Sequence, residues 1–279
     1  MGIKIAIDAG HGSNTAGKRT PDGYREHWIN VKCANYCADA LKRCGFEVEK
    51  VAFNDENAKD DSDVSLSKRQ AQIKKAGCAA SVSFHANASG DGKTYNTGRG
   101  VETLVATKDN QIGDSLALAK KVQTRLIEGT EQKNRGVKRQ DLAMCNCPAL
   151  GVKAAILVEI GFMTNKEEAD LMKTDVFCKE QAEEVAHGIC DYFGKEYKKE
   201  TVNPSNATNA AKPPYFVKVA NVPENDVLNI RKEPKVNAPK TGELKHNDPN
   251  KYTIIEEMNG WGKLKSGIGW INLFYTKKA

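Results

Sequence analysis

The 279-residue sequence predicts an α/β domain, a mixed sheet with helices on both faces, followed by a small all-β barrel. Near-continuous apolar strands alternate with helical patterns over residues 1–195, which is typical of a sheet that helices cover. Residues 196–214 are rich in Asn, Thr, Ala, Lys and Pro without periodicity and indicate a linker. Short strands separated by Gly, Pro and Asn then occupy residues 215–279.

In the first domain, apolar periodicity predicts each element in turn. The first strand stops at Gly10, His11 and Gly12, where two glycines allow the chain to turn and to approach a ligand closely. A helix begins at Glu26 and ends at Gly45, a residue typical of helix C-termini. The remaining predicted elements are strand 46–51, helix 64–76, strand 78–84, strand 101–106, helix 111–128, strand 137–144, strand 154–160, a helix beginning at Asn165 and helix 176–193.

The last domain contains short, evenly spaced strands, which indicate a small barrel. The predicted strands are 215–219, 227–231, 251–256, 262–264 and 269–273. Residues 215–279 also contain eleven Lys or Arg against seven Asp or Glu, a surplus of four. This charge favours a polyanionic partner such as a cell-wall polymer. Nucleic acid is not expected, because no RNA-binding or zinc-finger pattern accompanies the charge.

Composition also constrains the compartment. No apolar run approaches the roughly 20 residues that span a bilayer, so we expect no membrane span. The N-terminal residues lack the pattern of a signal peptide, so we expect synthesis in the cytoplasm without an encoded secretion signal. All eight cysteines precede residue 191 at core-like positions, which is typical of reduced, buried thiols. Cys145 and Cys147 form the one close pair and lack the second half of a zinc site.

Four side chains are predicted to meet at one edge of the sheet. His11 and His85 each follow a buried strand, Glu159 lies near the end of another, and Glu26 begins the first helix. Two imidazoles and one carboxylate, with a water in the fourth position, form the ligand set of a catalytic zinc site. The remaining carboxylate is then free to take a proton from that water.

Simpler interpretations of the same residues remain open. A histidine after a strand is often only a turn residue, and Glu26 also suits the positive end of the helix dipole. Glu159 is harder to explain in this way, because burying an acid among apolar residues is costly without a partner. His27 competes with Glu26 as a ligand, but adjacent helical residues point about 100° apart, so only one of them faces the site.

Three further features are interpreted as structural. His187 falls on the last helix of the first domain, and His246 falls in a basic loop of the second. The acidic segment 60–63 lacks the glycine and the terminal glutamate of a calcium loop, so it is interpreted as a solvated loop before a helix.

The motifs together resemble those of zinc-dependent N-acetylmuramoyl-L-alanine amidases. The matching segments are IAIDAGHG (5–12), RE (25–26), SFHANA (83–88) and VEIGFMTN (158–165), in the order of that family. The resemblance covers residues 1–195. It implies Zn²⁺ bound by His11, Glu26 and His85, with Glu159 as the catalytic glutamate.

The last domain resembles a bacterial SH3-like cell-wall-binding domain through LNIRKEP (228–234), NGWGKL (259–264) and GWI (269–271). An amidase joined to such a domain is similar to a phage endolysin, which acts on the wall after release, or to an autolysin. The implied partner is peptidoglycan, both glycan strand and stem peptide, with anionic wall polymers as a further partner of the last domain.

The implied reaction hydrolyses the amide between N-acetylmuramic acid and the L-alanine of the stem peptide. Residues 88–99 and 134–146 are expected to wall the substrate groove. Arg135 and Arg139 are candidate contacts for stem-peptide carboxylates there, but a solvated basic face is the favoured interpretation of both. Two other functions remain open: another zinc-dependent wall hydrolase, such as a peptidase or deacetylase, and a non-catalytic wall-binding protein.

Overall fold

The computed structural model describes residues 2–53, 61–128, 130, 132–200, 213–222, 224, 226–235, 238–258 and 260–279. They divide into two compact units. The first comprises residues 2–128 and 132–200, and the second comprises the described residues from 213 onward. The predicted linker at 196–214 falls mostly outside the described residues.

The first unit alternates strands and helices around a six-stranded sheet. Its elements are β1 (Lys4–Ala9), α1 (Glu26–Arg43), β2 (Glu47–Val51), α2 (Leu66–Ala76), β3 (Ala80–Asn87), β4 (Val101–Val105), α3 (Asp109–Ile112), α4 (Ser115–Ile127), β5 (Asn134–Arg139), α5 (Cys147–Leu150), β6 (Ala154–Phe162), α6 (Lys166–Met172) and α7 (Asp175–Phe193). The strand order is β2-β1-β3-β6-β4-β5. Only β4 and β6 pair antiparallel, so the sheet is mixed, and the predicted α/β class is confirmed.

Alternating residues of the strands pack on opposite faces of the sheet. In β1, Ile5 and Ile7 join the core that α1, α4 and α7 cover. Ala6 joins a second, smaller core with Ile73 of α2 and Leu150 of α5. The two cores explain why the strands are apolar almost throughout, since both faces of the sheet are covered.

The observed elements differ from the predicted ones at two places that the site or the core depends on. The strand predicted at 78–84 continues to Asn87, because β3 stays paired with β6 through His85 and Glu159 and, after a register shift, as far as Asn87 and Phe162. The helix predicted at 111–128 is divided at Gly113, whose φ is +49°. A Cβ at Gly113 would lie 2.3 Å from the carbonyl oxygen of Lys153, so the close approach of these two segments requires glycine.

The strand predicted at 137–144 is shifted toward the N-terminus. It is observed as β5, Asn134–Arg139, and a 3₁₀ turn at Ala143–Cys145 takes the place of its second half.

All eight cysteines are buried and free, which confirms the expectation of unpaired core thiols. Cys145 and Cys147 donate hydrogen bonds to the carbonyl oxygens of Leu104 and Ile112. No helix in the described part of the chain combines the length and the apolar character needed to cross a membrane.

The second unit is an antiparallel sheet of seven strands. Its strands are β7 (Tyr215–Val219), β8 (Val227–Arg231), β9 (Lys240–Lys245), β10 (Tyr252–Met258), β11 (Trp261–Leu264), β12 (Trp270–Asn272) and β13 (Thr276–Lys278), in the order β13-β7-β10-β11-β12-β8-β9. Its core includes Val217, Ile230, Ile254 and Ile271. The strands β9 and β13 were not predicted, because their sequences are mostly polar. The SH3-like assignment of this unit stays a prediction.

The contact between α4 and α7 depends on Gly188, and we expect Gly188→Ala to destabilise the first unit. A Cβ at this position would lie 2.5 Å from the Cα of Val122, a backbone atom that cannot move aside alone. The better helix propensity of alanine offers at most about 1 kcal/mol. Overpacking of this kind costs about 1–3 kcal/mol. Thermal unfolding should therefore occur at a lower temperature than in the parent protein.

The control is Lys120→Ala, on the exposed side of α4, which should change stability by less than about 0.5 kcal/mol. An unchanged melting temperature for Gly188→Ala would contradict the packing argument.

Candidate metal centre

His11, Glu26 and His85 lie together: His11 follows β1, Glu26 begins α1, and His85 lies near the end of β3. One ligand atom from each side chain can be chosen so that all three lie within 4.8 Å of one another. Glu26 Oε2 lies 3.4 Å from His11 Nε2, and Glu26 Oε1 lies 3.0 Å from His85 Nδ1. The two imidazole rings meet edge to face, with 4.8 Å between their centroids. The structure thus brings together the three residues predicted as metal ligands.

The turn after β1 presents His11 in an unusual backbone conformation. His11 has a φ of +62°, in the left-handed region of backbone conformation that residues other than glycine rarely adopt. A Cβ on the preceding Gly10 would lie 2.3 Å from the ring of His85. A Cβ on Gly12 would lie 2.3 Å from the backbone nitrogen of Asp63. Glycine on each side of His11 is therefore a condition for bringing the two imidazoles together.

Glu26 is almost completely buried, with 1% of its surface exposed. Its Oε1 accepts a hydrogen bond from the backbone nitrogen of Ala86, which fixes the carboxylate against the end of β3. Burial by itself would raise the pKa of Glu26. Hydrogen bonds and charge from His11 and His85 outweigh burial and hold that pKa well below its usual range. Glu26 is therefore a carboxylate anion, which suits the binding of a cation.

Arg69 of α2, which the sequence analysis missed, binds the backbone of the turn that contains His11. Its guanidinium is 2% exposed and donates to the carbonyl oxygens of Ala9 and His11, at 2.7 and 2.6 Å. It also pairs with the carboxylates of Asp8 and Asp63, at 2.8 and 3.2 Å. The sequence does carry a signal for this residue: Arg69 lies four positions before Ile73, on the buried stripe of an otherwise polar helix.

His27 turns away from the metal ligands. Its Nδ1 lies 2.8 Å from the carbonyl oxygen of Gly10, and its Nε2 lies 3.0 Å from the carboxylate of Asp61. Asn30, one helical turn further along α1, donates to the same carbonyl oxygen at 3.1 Å. Both ring nitrogens of His27 are therefore engaged, so of the two neighbours Glu26 alone faces the site.

The acidic segment predicted as a solvated loop has a more definite role. Asp61 and Asp63 are bonded to His27 and Arg69, and Asp63 also accepts from the hydroxyl of Thr15. Asp60 lies outside the described residues.

Glu159 lies on β6 directly beside His85 of β3, on the same face of the sheet. Its Oε2 atom is buried and has no hydrogen-bond partner among the described residues. Burial raises the pKa of Glu159 well above its usual range, and the neighbouring carboxylates of Glu26 and Glu102 raise it further. A half-buried carboxyl group with a buried, unbonded oxygen, beside a cluster of ligand atoms, is a candidate for a functional group rather than a structural one.

Glu102 is paired with Glu159 across β4 and β6. Unlike Glu159 it is fully bonded, accepting from Asn87, Arg135 and Lys138. Burial would raise the pKa of Glu102, but the hydrogen bonds from Lys138 and Arg135 lower it below its usual range.

A model of the N-acetylmuramoyl-L-alanine amidase family matches residues 5–191. This covers the first unit and every residue of the site.

The chain belongs to this family of hydrolases.

The endolysin of Bacillus phage SPP1 is 30% identical over 202 residues, covering 71% of this chain and 69% of that protein. The uncharacterized protein YqiI of Bacillus subtilis is 28% identical over 192 residues, covering 69% of this chain and 85% of that one. The crystal structure of an N-acetylmuramoyl-L-alanine amidase from Clostridium difficile 630 has a TM-score of 0.58 at 25% identity, and covers 69% of this chain and 97% of its own.

As a member of the amidase family, the chain offers a donor set that fits a zinc ion. Two imidazole nitrogens and one carboxylate are zinc ligands in hydrolases, and tetrahedral bonds of about 2.0–2.2 Å place ligand atoms about 3.4 Å apart. The contacts of Glu26 with the two histidines, 3.0 and 3.4 Å, are close to that spacing. The carboxylate of Glu26 holds its negative charge at this buried position, so a cation bound between the three side chains is paired with an opposite charge.

The other residues considered in the sequence make contacts of their own. His187 stacks on Tyr197, with 4.3 Å between ring centroids, and His246 bonds to the carbonyl oxygen of Val222. Arg139 is bonded to Asp109 and to the carbonyl oxygen of Thr107.

The pair between Arg69 and Asp8 is buried on both sides, so we expect Asp8→Asn to be strongly destabilising. The variant leaves the Arg69 charge in the core with only Asp63 as a carboxylate partner. Breaking one side of a buried ion pair costs about 3–5 kcal/mol. Urea denaturation followed by circular dichroism measures the change in the free energy of unfolding.

The matched control is Asp39→Asn, because Asp39 pairs with Lys42 on the surface and the two side chains are 70% and 53% exposed. This variant should lose less than about 1 kcal/mol. Equal losses in the two variants would show that burial of the Arg69 pair is irrelevant to stability.

Proposed function

We propose that the first unit is a zinc-dependent amidase that cleaves the bond between N-acetylmuramic acid and L-alanine in peptidoglycan. The observation that carries this proposal is the convergence of His11, Glu26 and His85 beside Glu159, a half-buried residue whose buried Oε2 atom has no hydrogen-bond partner among the described residues. Membership of the family supports the same reaction.

His11, Glu26 and His85 would hold the zinc ion, and the roles of the remaining groups follow from where they lie. When bound, zinc supplies a Lewis acid that lowers the pKa of water from about 15.7 to about 7 and polarises the amide carbonyl. Glu159 accepts the proton of the attacking water and delivers it to the leaving nitrogen of L-alanine. Glu159 lies beside His85 and its Oε2 atom has no hydrogen-bond partner among the described residues, so this oxygen is free to take the proton.

The edge of the sheet suits a polymer substrate. The wall at residues 88–99 is anchored to Thr164, which follows β6: Ser89 donates its backbone nitrogen to the Thr164 hydroxyl at 3.0 Å, and the Asn96 nitrogen donates to the Thr164 carbonyl at 2.7 Å. A groove with fixed walls admits a glycan strand and its stem peptide from the side, which a closed pocket does not.

We further propose that the second unit binds the cell wall as an SH3-like domain and that the protein is an endolysin, reaching the wall after release. The surplus of positive charge in this unit and the 30% identity of the first unit to a phage endolysin support this.

We expect Glu159→Gln to retain zinc and the fold while losing hydrolysis. The amide of glutamine is nearly isosteric but cannot accept the proton, and general acid–base groups contribute about 10²- to 10⁴-fold to rate. Zinc content per chain, the melting temperature and release of L-alanine amines from purified walls measure the three properties. Loss of zinc, or activity within tenfold of the parent, would refute the role of Glu159.

Glu167→Gln, on the exposed side of α6, is the matched control and should hydrolyse walls normally. The products also test the reaction itself. An amidase frees the amine of L-alanine from muramic acid without new reducing ends, whereas release of acetate or of internal peptide amines would assign the site to another wall hydrolase.

A chain that ends after Glu200 should hydrolyse soluble muropeptides at the parent rate and bind whole walls more weakly. The cut belongs there because Lys195 and Lys198 are bonded to Gly45 and Arg43, and Glu200 pairs with Lys179. Hydrolysis rates and co-sedimentation with walls measure the two effects. If the shortened chain folds but loses both properties, the second unit contributes to the catalytic site as well as to binding.

A further inference from the structure

A cationic cluster lies next to the candidate metal centre, on the side of the sheet edge formed by β4 and β5. At its middle Glu102 accepts hydrogen bonds from Arg135 Nε at 2.6 Å, Lys138 Nζ at 2.5 Å and Asn87 Nδ2 at 2.9 Å. Two cations thus share one carboxylate, which leaves a surplus of one positive charge. The side chain of Glu102 is 7% exposed, whereas the side chains of Arg135 and Lys138 are 27% and 42% exposed.

The cluster has a fixed position relative to the reacting bond. Glu102 and Glu159 are direct partners in the antiparallel pair of β4 and β6, so their side chains project from the same face of the sheet. Glu102 is also the neighbour of Gly136 on β5. Adjacent strands lie about 4.8 Å apart, so the strand that carries Arg135 lies about 10 Å from Glu159.

The orientation of the Arg135 guanidinium suits the binding of a carboxylate. Its guanidinium carbon lies 4.7 Å from the centroid of the Phe162 ring, which fixes the plane of the group. Nε faces Glu102 and Nη1 faces the carbonyl oxygen of Arg99 at 3.5 Å. Nη2 has no contact within the described residues and is the nitrogen left to donate to a ligand. A planar guanidinium held on one edge, with donors free on the other, recognises carboxylates with defined geometry.

We propose that Arg135, supported by Lys138, forms a subsite that binds a carboxylate of the stem peptide. This inference rests on the amidase function proposed above and names the part of the substrate that the site reads. The guanidinium of Arg135 reaches from β5 to Glu102 on β4 and to the ring of Phe162 on β6, the strand of Glu159. An extended peptide spans about 3.3–3.6 Å per residue, so the group that Arg135 binds belongs to the first few stem residues. The two sources are the α-carboxylate of a γ-linked second residue and the carboxylate at the end of a short stem.

Arg139 provides a matched control on the same strand. It lies four residues further along β5, about 13 Å from Arg135, and its guanidinium is paired with Asp109. Both arginines are partly exposed, 27% and 44%, so the two substitutions remove the same charge from similar surfaces.

The test measures binding rather than turnover, in the zinc-loaded full chain with Glu159→Gln to prevent cleavage. Calorimetric titrations use N-acetylmuramoyl-L-Ala-γ-D-Glu-L-Lys and two derivatives, one amidated at the α-carboxylate of the second residue and one amidated at the C-terminus. We expect one amidation to weaken binding about 10- to 100-fold, as for a lost charge-assisted hydrogen bond. Which of the two does so identifies the carboxylate that is bound.

Adding Arg135→Gln should abolish this discrimination, so that the sensitive pair of ligands bind equally. Arg135→Lys should retain part of it, and Arg139→Gln should retain all of it. Melting temperatures confirm that each variant is folded, and Lys138 remains a partner for Glu102 in every one. Discrimination that survives Arg135→Gln, equal binding of all three ligands, or no binding at all would overturn the proposal.

The outcome is separable from that of the proposed reaction. A wild-type chain that releases L-alanine amines while the Arg135 variants still discriminate would refute the subsite and leave the amidase intact. Discrimination that depends on Arg135 in a chain that cleaves no amide would support a carboxylate subsite and refute the reaction.

Discussion

The turn at residues 10–12 is the constraint on which the site depends. A left-handed conformation at His11 is unfavourable for a residue with a side chain, by about 1–2 kcal/mol. Arg69 binds the carbonyl oxygens on both sides of Gly10, and His27 and Asn30 bind the carbonyl of Gly10 itself. Three consecutive carbonyl groups are thereby fixed from two helices. The buried ion pair of Arg69 specifies this conformation more than it adds to stability, because desolvation offsets most of the Coulomb attraction.

The sequence was sufficient to predict which residues meet, because strand ends are visible in it. His11 and His85 follow apolar runs, and Glu159 interrupts one, so their convergence required only that the three strands share a sheet. The pattern of residues alone left Glu26 and His27 as competing ligands, since both begin the same helix, and the resemblance to the amidase family favoured Glu26. The helix turns one toward β3 and the other toward Gly10 and Asp61.

The parts that sequence reasoning missed depend on neighbours that are remote along the chain. Arg69 meets Asp8 across 61 positions, and Arg135 meets Glu102 across 33. Both contacts follow from strand order and register, which short-range periodicity does not encode. Edge strands were missed for a different reason: β9 and β13 have one partner each and mostly exposed, polar residues, so no apolar alternation identifies them.

Two carboxylates, Glu159 and Glu102, lie side by side at this edge, and their surroundings assign them opposite tasks. Burial raises the pKa of each, but only Glu102 has hydrogen-bond donors among the described residues, and Lys138 and Arg135 lower its pKa below the usual range. The negative charge of Glu102 pairs with Arg135 and Lys138 and also raises the pKa of Glu159. The group without donors is then the one able to exchange a proton. Glu102 thus orients Arg135, the proposed substrate-binding residue, and also raises the pKa of Glu159, the proposed base. One side chain therefore links substrate recognition to catalysis.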